Sequence, residues 1–237
     1  GLSCSRFYIM AGAKRENFIL CDSKGVIRKG RTDLTPEKAE FAVETEARTL
    51  ADAIKGADIF LGFSAPNCVT AEMVKTMAPG PVIFAMANPV PEIFPDVALA
   101  AGAAVVGTGR SDFPNQINNV LGFPGIFRGA LDVRAKDINE AMKLAASQAL
   151  AELAAEPVPA GVKKALAEAY PADAAAGMFD SKGGVNVNCV IPKPFDPRVV
   201  PRVARRVAEA AMKSGVAQLD IGDLDAYEKS VAERLGK

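Results

Sequence analysis

Short apolar runs alternate with longer amphipathic stretches through the first half of the chain, which predicts strands and helices in turn. Residues 2–11 read as a helix stopped by Gly12. Residues 18–21 form a short apolar strand that ends on Asp22, and Ser23-Lys24-Gly25 is turn chemistry. Thr35 and Pro36 open a helix as N-cap and first helical residue, and Thr49 caps another that runs to Gly56. Residues 59–63, 82–87 and 103–106 are buried strands, separated by helices at 70–78 and 95–101. Strands of about five residues alternating with helices of about ten give an α/β fold with a parallel sheet. The strand tips fall at Asp22, Ser64, Asn88 and Thr108, and in a parallel sheet all four share one edge, where ligands bind.

The second half changes character. Helices are expected at 138–155, 162–169, 198–214 and 224–235, with a surface hairpin at 182–190 and a proline-punctuated connector at 191–197. Arg202, Arg205 and Arg206, at helical spacing, read as a solvated face. The chain therefore divides into a dinucleotide-type α/β domain over 1–135 and a helical extension over 136–237 that packs on it.

Composition narrows the chemistry. Of 237 residues 49% are apolar, ample for a core, and the formal net charge is zero, which gives no reason to expect nucleic acid or a membrane surface as partner. No apolar run reaches the roughly 18 residues that a membrane span needs, and the first residues lack a signal-peptide layout. Cys4, Cys21, Cys68 and Cys189 are far apart among apolar neighbours and read as small buried thiols in a reducing cytoplasm. The chain has no histidine. That removes Ser-His-Asp catalysis and histidine metal sites, and leaves a cysteine nucleophile without its usual base.

The candidate chemistry lies at the strand tips. After the 103–106 strand comes a loop crowded with Asn115, Gln116, Asn118 and Asn119. Uncharged amides donate and accept hydrogen bonds without bringing a competing charge. Asn88 sits at another tip, and Pro89 restricts it to an extended conformation. Amides on neighbouring tips could grip a nicotinamide ribose and a small carboxylate together, the arrangement hydride transfer requires. A helix, then a strand, then Asp22 is also the order that follows the first strand of a dinucleotide-binding unit, where an acidic residue about 20 positions beyond the glycine turn bonds the ribose. Gly1 to Asp22 is the right distance if Gly1 is the last glycine of that turn; the first strand and the earlier glycines are absent from the sequence.

These residues resemble a known family. Asn88-Pro89-Val90-Pro91-Glu92-Ile93 and the whole of 108–131 look like the cofactor-domain signatures of bacterial malic enzyme, and the likeness extends through 22–27, Gly30-Arg31, the helix near 140–155 and 191–198. Residues 172–188 do not fit its pattern. The resemblance implies a Rossmann-like sheet and the oxidative decarboxylation of malate to pyruvate and carbon dioxide, with reduction of NAD or NADP and a divalent metal, Mg or Mn. It assigns Gly1, Asp22, Ser64 and Asn88 to the cofactor, and Asn118 and Asn119 to the substrate carboxylate. In that family the proton-transferring tyrosine and lysine and the acidic metal ligands lie upstream of the glycine turn. No catalytic residue and no metal ligand are therefore assigned in this chain, and Tyr8, Tyr170 and Tyr227 fit none of those roles. The expectation is a cytoplasmic, homo-oligomeric enzyme of which this is the cofactor part, partnered by its own upstream half and in some members followed by a phosphate acetyltransferase-like domain. Asp22 favours NAD, whereas Lys24, Arg28, Lys29, Arg31 and Lys38 could neutralise the extra phosphate of NADP. The alternative reading is a catalytically silent nucleotide-binding or assembly module.

Overall fold

The computed structural model describes residues 1–180, 183–184 and 186–236. It packs as two compact units, Gly1–Pro114 and Asn115–Lys237. The expected division at 135/136 lies further along the chain.

The first unit is built on three parallel strands. It opens with α1 (Leu2–Met10), followed by β1 (Cys21–Asp22) and β2 (Gly25–Val26), which pair antiparallel as a small hairpin. Gly25 is required at that turn: its φ is +100°, and a Cβ there would lie 2.1 Å from the Arg48 carbonyl oxygen. Next come α2 (Pro36–Ala39) and α3 (Leu50–Ile54), each started by a threonine cap. At α3 the cap is reciprocal, because Thr49 Oγ1 accepts from the Asp52 N–H and Asp52 accepts from the Thr49 N–H. Then β3 (Ile59–Gly62), α4 (Ala71–Lys75), β4 (Val82–Ala85), α5 (Pro95–Ala100) and β5 (Val105–Thr108) alternate. The sheet order is β3-β4-β5, all parallel, with Gly62, Ala85 and Thr108 in register at the carboxyl edge. Ile83, Ala85 and Val106 bury themselves against Val74 and Met77 of the α4 region and Ala98 of α5.

The Rossmann-like reading of three of the strands thus holds. Residues 18–21 behave differently: Asp22 is not a tip of the parallel sheet. It sits in the hairpin, and the Ile27 N–H bonds to the Leu20 carbonyl at 2.7 Å. A strand needs a neighbour for its ladder groups, and among the described residues this segment finds it in its own return, not in the sheet.

The second unit is helical. It contains α6 (Phe123–Asp132), α7 (Glu140–Ala155), α8 (Ala160–Ala169), α9 (Pro171–Ala175), α10 (Val199–Lys213) and α11 (Leu224–Leu235). Helix α10 is central and buries Val199, Val203, Val207, Ala208 and Ala211. Helix α6 lies against it at glycine distance: a Cβ on Gly125 would sit 2.6 Å from Val203 Cβ, and one on Gly129 would sit 2.4 Å from the Ala204 carbonyl oxygen. That contact assigns α6 by packing to the second unit. The outer arginines of α10 are not a free solvated face. Arg202 bridges Glu156 and Glu228, Arg205 pairs with Asp225 and Glu228, and Arg206 pairs with Glu152. Opposed carboxylates on α7, at its C-cap and on α11 recruit them. The hairpin expected over 182–190 lies partly outside the described residues; its described part has a bridge between Asn186 and Cys189. The cysteines are free thiols, but none is fully buried, and Cys21 is exposed because it sits on the hairpin. No helix among the described residues is long and apolar enough to cross a membrane.

Replacing Gly129 with alanine should force α6 and α10 apart and destabilise the protein by about 1–3 kcal/mol. Gly161→Ala in α8, where an added Cβ meets nothing within 4 Å, should be neutral or slightly stabilising. Thermal melts of the two variants check the contrast.

Candidate functional site

The carboxyl edge of the parallel sheet carries three loops. The first follows β3 and holds Ser64 and Asn67, the latter with φ +55°. The second follows β4 and holds Asn88, whose bond to Pro89 is cis, then Pro91 and Glu92. The third follows β5 and holds Arg110 and Asp112.

Glu92 ties the first two loops together. It is completely buried. One carboxyl oxygen accepts from the Ser64 N–H at 2.8 Å and the other from the Ala87 N–H at 3.0 Å. The backbone adds two bonds, Asn67 N–H to the Pro91 carbonyl and Val69 N–H to the Glu92 carbonyl, each 3.0 Å. Arg110 ties the second loop to the third. It forms a forked pair with Asp112 at 2.8 and 2.7 Å, donates to the Pro89 carbonyl at 3.2 Å and lies against the rings of Phe94 and Phe113. The Asp112 carboxylate raises the pKa of that guanidinium, and the guanidinium lowers that of Asp112.

Ser64 and Asn88 are left exposed on this frame. The Asn88 side chain makes no hydrogen bond to protein among the described residues, and the Ser64 hydroxyl lies 3.7 Å from the Cys68 sulfur. Uncharged donors facing outward from a rigid parallel edge suit the ribose and amide groups of a dinucleotide. Gly1 is the N-cap of α1, is exposed, and has open space where a Cβ would be. Asp22, by contrast, is already engaged. Arg31 binds it at 2.9 and 3.2 Å and Lys38 at 2.6 Å, and the Lys24 N–H donates to it. The hydrogen bonds from Arg31, and then from Lys38, hold its carboxyl well below the usual carboxylate range.

In the second unit the amide loop divides by role. Asn115 is buried with φ +55°; its amide donates to the Val187 carbonyl and accepts from the Val190 N–H, both at 2.8 Å. It clamps backbone. Asn118 caps a 3-10 turn over Asn119–Leu121, accepting from the Val120 N–H at 3.0 Å. Asn119 is exposed and its side chain has no protein hydrogen bond among the described residues. Asn119 is therefore the freer of the two amides assigned to substrate. The hydroxyl of Tyr227 donates to Asp132 at 2.8 Å, and burial, followed by that carboxylate, raises its pKa. The Tyr170 hydroxyl accepts from the Phe195 N–H. Among the described residues no cluster of three or more Cys, Asp and Glu is placed to hold a metal ion. Sequence reading passed over the role of Glu92. Its signal was a carboxylate set in an otherwise apolar Pro91–Ile93–Phe94 stretch.

An open parallel sheet flanked by helices, with polar side chains exposed at its carboxyl edge, places the protein in the Rossmann-like class of α/β folds. Residues 9–166 match the family model described as the malic enzyme NAD binding domain, and the chain belongs to that family. It is 51% identical over 235 residues to an NADP-dependent malic enzyme of Rhizobium meliloti, covering 98% of this chain and 29% of that protein. An NAD-dependent malic enzyme of the same organism is 48% identical, with 95% of this chain and 28% of the relative covered. Among solved structures, the malic enzyme of Entamoeba histolytica superposes with a TM-score of 0.80 at 36% identity, over 98% of this chain and 44% of that one. The chain thus spans less than half the length of each of these relatives.

The Asp22 network has a defined pH dependence. Its folded pKa lies below the unfolded value of about 3.9, so its stabilisation is complete above that pH and is lost as the pH falls towards the folded value. Asp22→Asn should lower the melting temperature at neutral pH, and the difference from wild type should narrow below about pH 4. A gap that stayed constant into acid would count against the network.

Proposed function

We propose that the chain is the cofactor-holding part of an enzyme that oxidises malate and decarboxylates it to pyruvate and carbon dioxide, reducing NAD or NADP. The observation that carries this reading is the carboxyl edge of the sheet, where Ser64 and Asn88 stand exposed on loops stapled by Glu92, within a segment matching the malic enzyme NAD-binding domain. Ser64 and Asn88 bind the nicotinamide and ribose side, Asp22 the adenosine ribose, and Gly1 lies at the pyrophosphate. Asn119, with Asn118 beside it in sequence, binds the substrate carboxylate. The bound nicotinamide supplies the hydride acceptor. Asn88 orients it through an amide that brings no charge to a ring that changes its own. Proton transfer and the divalent metal, Mg or Mn, are assigned to the rest of the protein, since the chain covers 29% of its Rhizobium meliloti relative. We place the protein in the cytoplasm as a homo-oligomer.

Two tests follow, both in the full-length protein. Asn88→Ala should lower kcat, and Asn119→Ala should raise the KM for malate, each by well over about tenfold. Steady-state rates followed by the absorbance of reduced nicotinamide check this, and folded variants with wild-type kinetics would remove the assignment. Asp22→Asn should raise the ratio of NADP to NAD efficiency by about tenfold. It removes a carboxylate that repels a 2′-phosphate and releases Lys38 to meet one, while Arg31 stays paired with Asp33. An unchanged ratio would place adenosine recognition elsewhere.

A further inference from the structure

Glu92 has the least ordinary surroundings of any charged residue at the sheet edge. It is fully buried, and no cation pairs with it among the described residues. Burying a carboxyl in this way is costly unless hydrogen bonds offset it. Both of its oxygens are used, each on a backbone N–H from a different loop. Those N–H groups belong to Ser64 itself and to Ala87, the residue before Asn88. Room for the carboxyl comes from the sheet. A Cβ on Gly62 would lie 2.4 Å from the Glu92 carboxyl carbon and 2.6 Å from each oxygen, so only glycine can stand there.

We propose that Glu92 is a positioning residue: its carboxyl sets the Ser64 loop and the Asn88 loop at one fixed separation, so that both side chains engage the same dinucleotide. It touches no ligand itself. The inference rests on the reading of Ser64 and Asn88 as cofactor contacts. A carboxylate offers an acceptor on each oxygen, whereas a carboxamide of the same shape offers one acceptor and one donor. Glu92→Gln therefore keeps the volume, loses one loop and turns an N–H against an NH2. A part that only filled space would tolerate it.

The test is a fluorescence titration of the full-length protein with reduced cofactor, made on wild type, Glu92→Gln, Asn88→Ala and the double variant. Glu92→Gln should weaken cofactor binding by about tenfold or more, with the KM for malate nearly unchanged. In the Asn88→Ala background the same change should cost much less, because the contact it positions is gone. Equal costs in both backgrounds, or wild-type affinity in Glu92→Gln, would overturn the proposal. Weakening by Asn88→Ala with none by Glu92→Gln would leave the site standing and remove Glu92 from it. Wild-type affinity in Asn88→Ala would defeat the site reading first, and this inference with it. If Glu92→Gln does not fold, hydrogen exchange on the wild type decides. The Ser64 and Ala87 amides should exchange slowly and be slowed together by the nucleotide, and exchange at open-loop rates at either amide would overturn the proposal.

Discussion

Where a parallel strand ends and the chain turns away, backbone N–H groups lose their ladder partners and must find others. The candidate site depends on how that demand is met. Glu92 accepts from two such groups on adjacent loops, and Arg110 carries the same stapling one strand further by donating to the Pro89 carbonyl. Asn88 lies between the two staples in the chain. Its loop is irregular in conformation but held at both ends, so the free amide needs little ordering when a ligand arrives. Low ordering cost is how a loop becomes a binding element rather than a mobile connection.

A different constraint shapes the helical unit. Helices α6 and α10 approach so closely that Gly125 and Gly129 have no room for a methyl group. The apolar face of α10 is consumed by this contact and by α7 and α11, while its arginines reach the carboxylates at Glu152, Glu156 and Glu228. In such half-buried pairs the desolvation of both charges offsets much of their attraction. Their clearer effect is on orientation, since each arginine of α10 is met by an acid from a particular neighbouring helix.

Much of this was legible from periodicity. The parallel strands were visible as short apolar runs, and the threonine caps at 35 and 49 are found where the sequence puts them. The 18–21 run failed as a sheet strand because apolar character fixes neither which backbone a segment pairs with nor whether it is covered: it pairs with its own return, and Ile19 and Cys21 stay exposed. The arginines of α10 failed as a solvated face because their partners lie on or at the ends of other helices, 20 to 54 positions away in sequence.

The amides divide for the same reason. Asn88, Asn115, Asn118 and Asn119 carry one chemistry, and their sequence neighbourhoods do not tell a clamp from a ligand contact. Asn115 became a clamp because Val187 and Val190, more than 70 positions on, present a carbonyl and an N–H to it. Asn88 and Asn119 stayed exposed. The sequence alone determined the alternation of strand and helix, the placement of polar residues at strand tips and the likeness to malic enzymes, because those reside in local pattern and residue order. Only the tertiary structure decided which polar groups are spent on backbone, that Asp22 is gripped by Arg31 and Lys38, and that Glu92 lies buried beneath two loops. Hydrogen-bond partnership is set by distance in space, which local pattern does not encode.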